Sequence, residues 1–209
     1  MEDVLELYAE PYDPARPVVC FDEASKELRG DVAPPTPPSP GTTAKQDYEY
    51  TRHETANLFV IVEPLAGRRH VTVTDRRTIP DFAAQMKHLC DEMYPEAEVI
   101  RVVLDNLNTH RIGSLFTTYP PDEARRLARR LEFHFTQTHA SWMNMAECEL
   151  SVLSRQCLDR RLSSKEAVAA EITPWEADRN RAGVRLKWSF RVADARRKLA
   201  HLYPQDPLR

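Results

Sequence analysis

The chain has 209 residues, of which 42% are hydrophobic and 29% are charged, a composition typical of one globular domain with a full core. No apolar run approaches the roughly 18 residues that a membrane helix needs. The acidic N-terminus MEDVLELYAEPYDP has neither the basic region nor the apolar region of a secretory signal. These features argue against a membrane or secreted protein and favour a cytoplasmic one.

The net charge of −3 is unevenly distributed along the chain. Residues 1–100 carry 10 Lys and Arg against 19 Asp and Glu, whereas residues 101–209 carry 19 against 13. The basic half could approach a polyanion such as nucleic acid, although arginine runs more often form a solvated helix face. The four cysteines form no CxxC pair and lie in apolar segments, which predicts reduced core thiols: Cys20, Cys90, Cys148 and Cys157.

The first predicted element is a core strand, PVVCFDE, which ends at Asp22. It is followed by a proline-rich segment, Asp31–Gln46, whose five prolines exclude helix and inner strand alike. Because long loops inside compact domains tend to be functional or disordered, we interpret this segment as a contact arm. Next, NLFVIVEPLAGRRHVTVTD predicts an antiparallel hairpin of two strands, Leu58–Glu63 and His70–Thr74.

Helices and strands then alternate. Apolar residues at three- and four-residue spacing predict a helix over Thr78–Tyr94, capped by Thr78. A second core strand, in EVIRVVLDNLNTH, ends at Asp105. The remaining predicted elements are a helix over Pro121–Arg130, a strand over Leu131–Thr136, helices over Ser141–Leu158, Ser164–Arg181 and Val192–His201, and a short strand over Val184–Phe190. This order predicts an α/β fold of the ribonuclease H-like kind, with a mixed sheet whose first three strands are antiparallel and which is flanked by helices.

Two of the predicted strands end at an aspartate. Ligands of open α/β sheets gather beyond the carboxyl ends of the strands, so Asp22 and Asp105 become neighbours if their strands are adjacent and parallel. Two neighbouring carboxylates repel each other unless a cation lies between them, and hard oxygen ligands select Mg²⁺ or Mn²⁺. The alternative is that each acid simply ends a strand and starts a turn.

A third acid is needed to hold two metal ions, and the helix over Ser141–Leu158 offers both Glu147 and Glu149. Glu147 lies at the margin of the helix's apolar arc, whereas Glu149 lies closer to its middle. A margin position suits a side chain that must reach the end of a sheet. Helical geometry alone does not choose between the two.

The segments CFDE, VVLDNLNTH and SWMNMAECELSVLSR, in this order and spacing, resemble the catalytic motifs of DDE-superfamily transposases, specifically the bacterial insertion-sequence group related to mariner elements. The similarity covers nearly the whole chain. It implies an acidic triad of Asp22, Asp105 and Glu147, and makes Glu149 a residue of the helix surface or a supporting residue.

The same resemblance suggests residues that support the triad or contact DNA: Glu23, Asn106, Asn108, His110, His139, Trp142 and Asn144. For His110 and His139 a hydrogen-bonded structural role explains the residue as well as substrate contact does. Trp142 fits a core anchor better than a platform for base stacking.

The activity that the resemblance implies is phosphodiester cleavage at element ends followed by strand transfer into target DNA, typically at a TA dinucleotide. It further implies two Mg²⁺ ions, which Mn²⁺ can replace, bridged by Asp22 and completed by Asp105 and Glu147. The implied partners are double-stranded DNA and a second copy of the chain. The implied location is the bacterial cytoplasm, in association with the nucleoid.

The chain departs from this group in two respects. Relatives usually show a Pro-Lys pair and then Gly before the SW motif, whereas this chain has Gln137, Thr138 and Ala140. Relatives also commonly carry helix-turn-helix modules before the catalytic domain. We expect residues 1–209 to form one catalytic domain with a C-terminal helical segment at about 160–209. Recognition of the element's ends would then come from a separate module or reading frame. The proline-rich arm is similar in position to a loop that reaches a partner subunit in mariner-type relatives. An inactive remnant that binds DNA or protein, and a ribonuclease H-like nuclease, remain alternative functions.

Overall fold

The fold is built on a five-stranded mixed sheet. The structure, a computed structural model, describes residues 1–45, 47–137 and 140–203. The strands lie in the order β3-β2-β1-β4-β5. Antiparallel pairs join β1 to β2 and β2 to β3, and parallel pairs join β1 to β4 and β4 to β5. The strand bounds are Val18–Asp31 for β1, Tyr50–Glu63 for β2, Arg68–Thr74 for β3, Ile100–Leu104 for β4 and Leu131–Phe135 for β5. The predicted mixed sheet with three antiparallel strands first is confirmed.

Helices flank the sheet on both faces. Their bounds are Glu2–Leu7 for α1, Ile79–His88 for α2, Gly113–Thr118 for α3, Pro121–Ala128 for α4, Met145–Leu153 for α5, Lys165–Arg181 for α6 and Val192–Lys198 for α7. Both α2 and α5 end in a π-helical turn, Leu89–Met93 and Ser154–Leu158 respectively. The predicted cap of α2 is present, since the backbone N–H of Thr78 donates to the Asp81 carboxylate at 2.7 Å.

The core lies on both sides of β1 because successive side chains of a strand point to opposite faces. Val19 and Phe21 face one apolar cluster, which contains residues of α2, α3 and α4. Cys20 faces another, built from α1, α7 and the start of α5. A third cluster joins the β1–β2–β3 region to α5 and α6 on that second side. The sheet is therefore the middle layer of three.

The prediction that the first strand ends at Asp22 is wrong. β1 runs on to Asp31, and Asp22 lies within it, paired with Val60 of β2. What ends near Asp22 is the parallel pairing with β4, whose last recorded pair is Cys20 with Val103. Beyond that point β1 continues beside β2. Pairing between β2 and β3 ends at Asn57, opposite Ser25, so from Lys26 onward β1 and β2 form a two-stranded ribbon, most of whose side chains are at least partly exposed. Its polar sequence, ASKELRGD, therefore looks like a loop although it is strand.

The proline-rich arm extends this ribbon. Residues 32–45 are all exposed, and two isolated bridges, Thr36 with Lys45 and Ser39 with Thr42, fold the arm back on itself. Arg161 holds the base of the arm, because its guanidinium donates to the Asp31 carboxylate at 2.8 Å and to the backbone oxygen of Asp47 at 2.6 Å. The exposed arm therefore stands on a base that Arg161 fixes to the domain.

Two other expectations were wrong, and two short helices were not predicted. Val184–Phe190 is not a strand, because its alternating apolar side chains pack against the second-side core while it has no neighbouring strand. The short helices α1 and α3, of six residues each, are too brief for apolar periodicity to reveal them. Cys148 is exposed rather than buried, whereas the other three cysteines are buried free thiols.

Among the helices of the described residues, none combines the length and the apolar character that a membrane-spanning segment requires.

Candidate active site

Asp22 and Asp105 lie side by side on neighbouring parallel strands. Cys20 of β1 pairs with Val103 of β4. Asp22 lies two residues beyond Cys20, and Asp105 lies two residues beyond Val103, so the two aspartates stand at the same level of the sheet and on the same face of their strands. The expectation that the two acids become neighbours depended on adjacent, parallel strands, and β1 and β4 have that arrangement.

Helix α5 brings Glu147 within electrostatic range of Asp22. Asn144 caps this helix, since its side-chain oxygen accepts a hydrogen bond from the backbone N–H of Ala146 at 3.1 Å. The amide of Asn144 also donates to the backbone oxygen of Phe21 at 2.8 Å, and Asn144 is only 1% exposed. Phe21 immediately precedes Asp22, so one side chain ties the start of α5 to the strand that carries the first aspartate. Glu147 lies in the first turn of α5 and is exposed.

The three carboxylates share one electrostatic environment. The pKa of Asp22 is raised to about 7, chiefly by burial and then by the negative charges of Glu147 and Asp105, against the opposing effects of the Glu23 backbone N–H and His110. Asp22 is 9% exposed. In the described residues no three His, Cys, Asp or Glu side chains form a ready-made metal cluster. Asp22 and Asp105 are thus neighbours, Glu147 lies close enough for its charge to act on Asp22, and carboxylate oxygens are donors of the kind that suits Mg²⁺ or Mn²⁺.

His110 is a buried link between two acids. It is 0% exposed, its Nδ1 lies 2.5 Å from Asp105 Oδ1, and its Nε2 lies 3.6 Å from Glu23 Oε2. Burial lowers the pKa of His110, but the hydrogen bond to Asp105 and the negative charges of Asp105 and Glu23 outweigh burial and raise that pKa to about 9. The ring packs on Phe82 with centroids 4.8 Å apart. At neutral pH the imidazolium therefore donates to Asp105 and fixes the orientation of its carboxylate.

The remaining predicted supporting residues are dispersed. Glu23 is held by Arg77, whose guanidinium donates to it at 3.2 Å. Asn106 and Asn108 are exposed in the turn after β4. His139 lies outside the described residues.

Trp142 is not the core anchor that its sequence context predicts. It is 45% exposed and stacks on Trp188, with ring centroids 6.0 Å apart and an interplanar angle of 21°. The stack on Trp188 covers part of the apolar surface of the Trp142 indole. Apolar periodicity around Trp142 does not reveal a partner so much later in the sequence.

Glu149 was expected to be either a helix-surface residue or a supporting residue, and the first of these expectations is wrong. Its side chain is 0% exposed and lies between Arg69 of β3 and Arg179 of α6. Sequence reasoning missed both arginines. A signal existed for one of them, since Arg69 alternates in phase with the inward-facing Val71 and therefore needs a buried partner. Sequence carries no comparable signal for Arg179.

Comparison with known proteins relates the chain to one family. The family model described as "DDE superfamily endonuclease" matches residues 17–169. The chain is similar to the solved Mos1 mariner paired end complex with Mn, with 15% identity, a TM-score of 0.54 and coverage of 87% of this chain and 55% of that chain. It is also similar to the Mos1 transposase paired-end complex with left transposon end, with 15% identity, a TM-score of 0.54 and coverage of 81% and 52%. No curated protein matches significantly.

The solved structures share their fold with this chain. At 15% identity the structural likeness shows the fold alone, and that fold is the ribonuclease H-like α/β architecture predicted from the order of elements. The chain spans about half the length of the solved structures that it matches. The matched range contains all three acids, Asp22, Asp105 and Glu147.

Proposed function

Because this chain belongs to the DDE superfamily endonucleases, we propose that it is the catalytic domain of a transposase. In this proposal it cleaves DNA phosphodiester bonds at the ends of an element and joins those ends to target DNA. One observation carries the proposal: two neighbouring strand aspartates and a helix glutamate, Asp22, Asp105 and Glu147, interact electrostatically at one end of the sheet.

The donor chemistry of this site fits divalent metal ions. Asp22 is a buried carboxylate whose pKa is raised towards neutrality by burial and by two further carboxylates. A cation that compensates this negative charge would stabilise the ionised form of all three acids. Carboxylate oxygens select Mg²⁺ and Mn²⁺, and one of the similar structures is described as a complex with Mn. Bound there, two such ions supply the activation of the attacking oxygen and the stabilisation of the leaving oxygen.

The chain's own residues prepare this site. His110 holds Asp105 in one orientation through the hydrogen bond at Nδ1, and Asn144 holds the start of α5 against β1. Glu147, exposed in the first turn of α5, is free to complete the donor set. Positioning of this kind lowers the cost of bringing reacting groups together.

The proposed reaction needs no covalent enzyme intermediate. A water oxygen attacks the phosphorus, the bond from phosphorus to the 3′ oxygen breaks, and that oxygen leaves as a 3′-hydroxyl after taking up a proton. In the joining step the 3′-hydroxyl oxygen attacks a phosphorus of target DNA and displaces another 3′ oxygen. The number of phosphodiester bonds is unchanged in this second step.

The proposed partners are double-stranded DNA and a second copy of the chain, with DNA ends recognised by a separate module. An enzyme with this substrate works in the compartment that holds the DNA, which in a bacterium is the nucleoid region of the cytoplasm. The arm supports the second copy as a partner, because residues 32–45 are exposed and stand on a base fixed by Arg161. Deleting Pro34–Pro40 should weaken assembly on DNA and leave monomer stability unchanged. Light scattering of protein–DNA mixtures measures assembly, and unchanged assembly would remove the arm from the interface.

The catalytic proposal is tested by DNA cleavage with Mn²⁺ or Mg²⁺. Supercoiled plasmid reports nicking without a need for end recognition, and a labelled duplex with a free 3′-hydroxyl reports joining. We expect Asp22→Ala, Asp105→Ala and Glu147→Ala each to abolish both activities while circular dichroism shows an intact fold. Asp159→Ala is the matched control, because it removes an exposed acid outside the site.

The outcomes separate the three candidate functions. Nicking and joining that require all three acids support a transposase. Nicking without joining, even when end-bearing duplexes and an end-recognition module are supplied, favours a ribonuclease H-like nuclease. Calorimetric Mn²⁺ binding without any cleavage favours an inactive remnant. Full activity of any one alanine variant removes that residue from the triad.

A further inference from the structure

Glu149 lies in a buried cluster of charges on the helix that carries Glu147. The Nε of Arg179 donates to Glu149 Oε1 at 2.6 Å, and its terminal nitrogen donates to Oε2 at 3.1 Å, so the pair is bidentate. Arg69 Nε lies 3.0 Å from Oε1 in an ion pair without hydrogen-bond geometry. The side chains of Arg69 and Glu149 are both 0% exposed, and that of Arg179 is 15% exposed. We call these three residues the arginine clamp.

The clamp is anchored well beyond α5. Arg69 donates to the backbone oxygen of Gly67 at 3.0 Å and to that of Val184 at 2.6 Å. Asn180, next to Arg179, accepts from the Arg69 backbone N–H at 2.8 Å and donates to the Arg69 backbone oxygen at 2.9 Å. The three charged side chains thus belong to a network that joins the edge strand β3, the end of α6 and the segment after it.

Helix geometry relates the clamp to the site. An α-helix turns by about 100° per residue, so residues two apart lie about 200° apart around its axis. Glu147 and Glu149 therefore point to opposite sides of α5, one to the site and the other into the clamp. Asn144 fixes the start of the helix against β1, and Leu150 and Leu153 pack its apolar face, but non-directional apolar contacts set the rotation of a helix less sharply than directed hydrogen bonds do. A second directed point, one turn further along, removes the remaining freedom to rotate.

The charges need an explanation because apolar packing would serve stability as well. Buried ion pairs often contribute little net stability, since the desolvation of the charges offsets their attraction. What a bidentate pair adds is a defined direction, because both carboxylate oxygens must face the guanidinium. A clamp of this kind suits a helix whose rotation has to be set within narrow limits.

We propose that Arg69 and Arg179, acting through Glu149, are positioning residues that set the rotation of α5 and so hold Glu147 in the catalytic site. The inference rests on the proposed function as far as catalysis is concerned. Its geometric part, the control of helix rotation, stands independently of that function.

The test compares Arg179→Gln with Arg181→Gln. Both substitutions remove one positive charge from the end of α6, but the Arg181 side chain is 76% exposed and pairs with Asp178 rather than with Glu149. Arg179 is chosen because it is the outermost member of the clamp. Glu149→Gln would leave two arginines without their counter-charge, one of them fully buried, and can fail to fold. Arg179→Lys, which keeps the charge but cannot bind both oxygens in a planar fork, is the conservative variant.

Four quantities are measured at a temperature where circular dichroism shows each variant folded. For Arg179→Gln we expect kcat for nicking to fall on the order of 100-fold, as for a reacting group displaced by about 1 Å. The Mn²⁺ concentration for half-maximal binding in calorimetry should rise, and DNA affinity by fluorescence anisotropy should stay within about twofold of the Arg181→Gln value. Arg179→Lys should recover part of the loss, which a role in folding alone would not predict.

The fourth quantity is independent of catalysis. Cys148 lies between the two glutamates and is exposed, whereas the other described cysteines are buried, so its reaction rate with a thiol reagent in the folded protein reports the rotation of α5. We expect this rate to change several-fold in Arg179→Gln and not in Arg181→Gln. If both variants match wild type in kcat, Mn²⁺ affinity and labelling rate, the proposal is overturned. If wild type neither cleaves DNA nor binds Mn²⁺, the proposed function fails, and an unchanged labelling rate alone then overturns the clamp.

Discussion

Replacing Asn144 with alanine tests how the start of α5 is joined to the sheet. The substitution removes two hydrogen bonds at once, the helix cap at Ala146 and the donation to the backbone oxygen of Phe21. Loss of an N-cap costs about 1 kcal/mol. Loss of the partner of a buried acceptor costs roughly 1–3 kcal/mol. Because Asn144 is 1% exposed, water does not readily replace the lost donor, and we expect the free energy of unfolding to fall by about 2–4 kcal/mol.

The assay is urea unfolding followed by circular dichroism, with Ser164→Ala as the matched control. Ser164 caps α6 by accepting from the backbone N–H of Ala167 at 3.1 Å, so its loss should cost only the cap, about 1 kcal/mol. In a domain of this size a change of 2–4 kcal/mol lowers Tm by roughly 5–15 °C. Asn144→Asp should be at least as harmful as Asn144→Ala, since it keeps the cap but places a carboxylate against a carbonyl oxygen. If Asn144→Ala costs no more than Ser164→Ala, the link to β1 contributes nothing.

Two further predictions concern stability. In metal-free buffer Asp22→Asn should stabilise the protein at pH 8, because the pKa of Asp22 is raised from 3.8 to about 7. A carboxyl group whose pKa is raised by folding contributes its stability fully below the pKa of the unfolded state. That stability is lost as the pH rises through the pKa of the folded state. The corresponding free energy is at most about 4 kcal/mol, and equal urea midpoints for variant and wild type at pH 8 would refute it. Gly67→Ala should lower the free energy of unfolding by at least about 1 kcal/mol more than Gly183→Ala does. Both glycines have positive φ, but only at Gly67 would a Cβ meet backbone atoms, those of Gly183 at 2.8 Å. Similar melting temperatures for these two variants would contradict the close approach.

The sequence predicts those parts of the fold in which local pattern and tertiary packing agree. The apolar runs of β4 and the inner part of β2 are buried on both faces, so their hydrophobicity alone identifies them. Helix α2 has a cap, a proline in its first turn and apolar periodicity, and its predicted start at Thr78 is correct. The outer halves of β1 and β2 could not be predicted in this way, because only a few of their residues, such as Leu28 and Ala56, are buried and the rest carry no apolar pattern.

The candidate site shows the same division. Asp22 and Asp105 can be predicted as neighbours because each follows a hydrophobic run, and the choice of Glu147 depended on family resemblance rather than on helix geometry. The burial of Glu149 explains why helix geometry could not choose between Glu147 and Glu149. A glutamate near the middle of an apolar arc can be buried when arginines from other elements pair with it. Arg69 precedes Glu149 by 80 positions and Arg179 follows it by 30. No local pattern connects residues so far apart.

The continuation of β1 past Asp22 gives the site one stiff member. The backbone of Asp22 is held inside the sheet, with β2 paired to it and to its neighbours on both sides, Phe21 with Ile61 and Glu23 with Phe59. Asp105 instead follows the last residue of β4 and opens a turn, and Glu147 sits in the first turn of a helix, where backbone hydrogen bonds are fewest. Amide hydrogen exchange should therefore be slow around Asp22 and faster at the other two acids. In the proposed reaction, Asp22 would serve as the fixed reference while the bonds to phosphorus change length and Asp105 and Glu147 adjust.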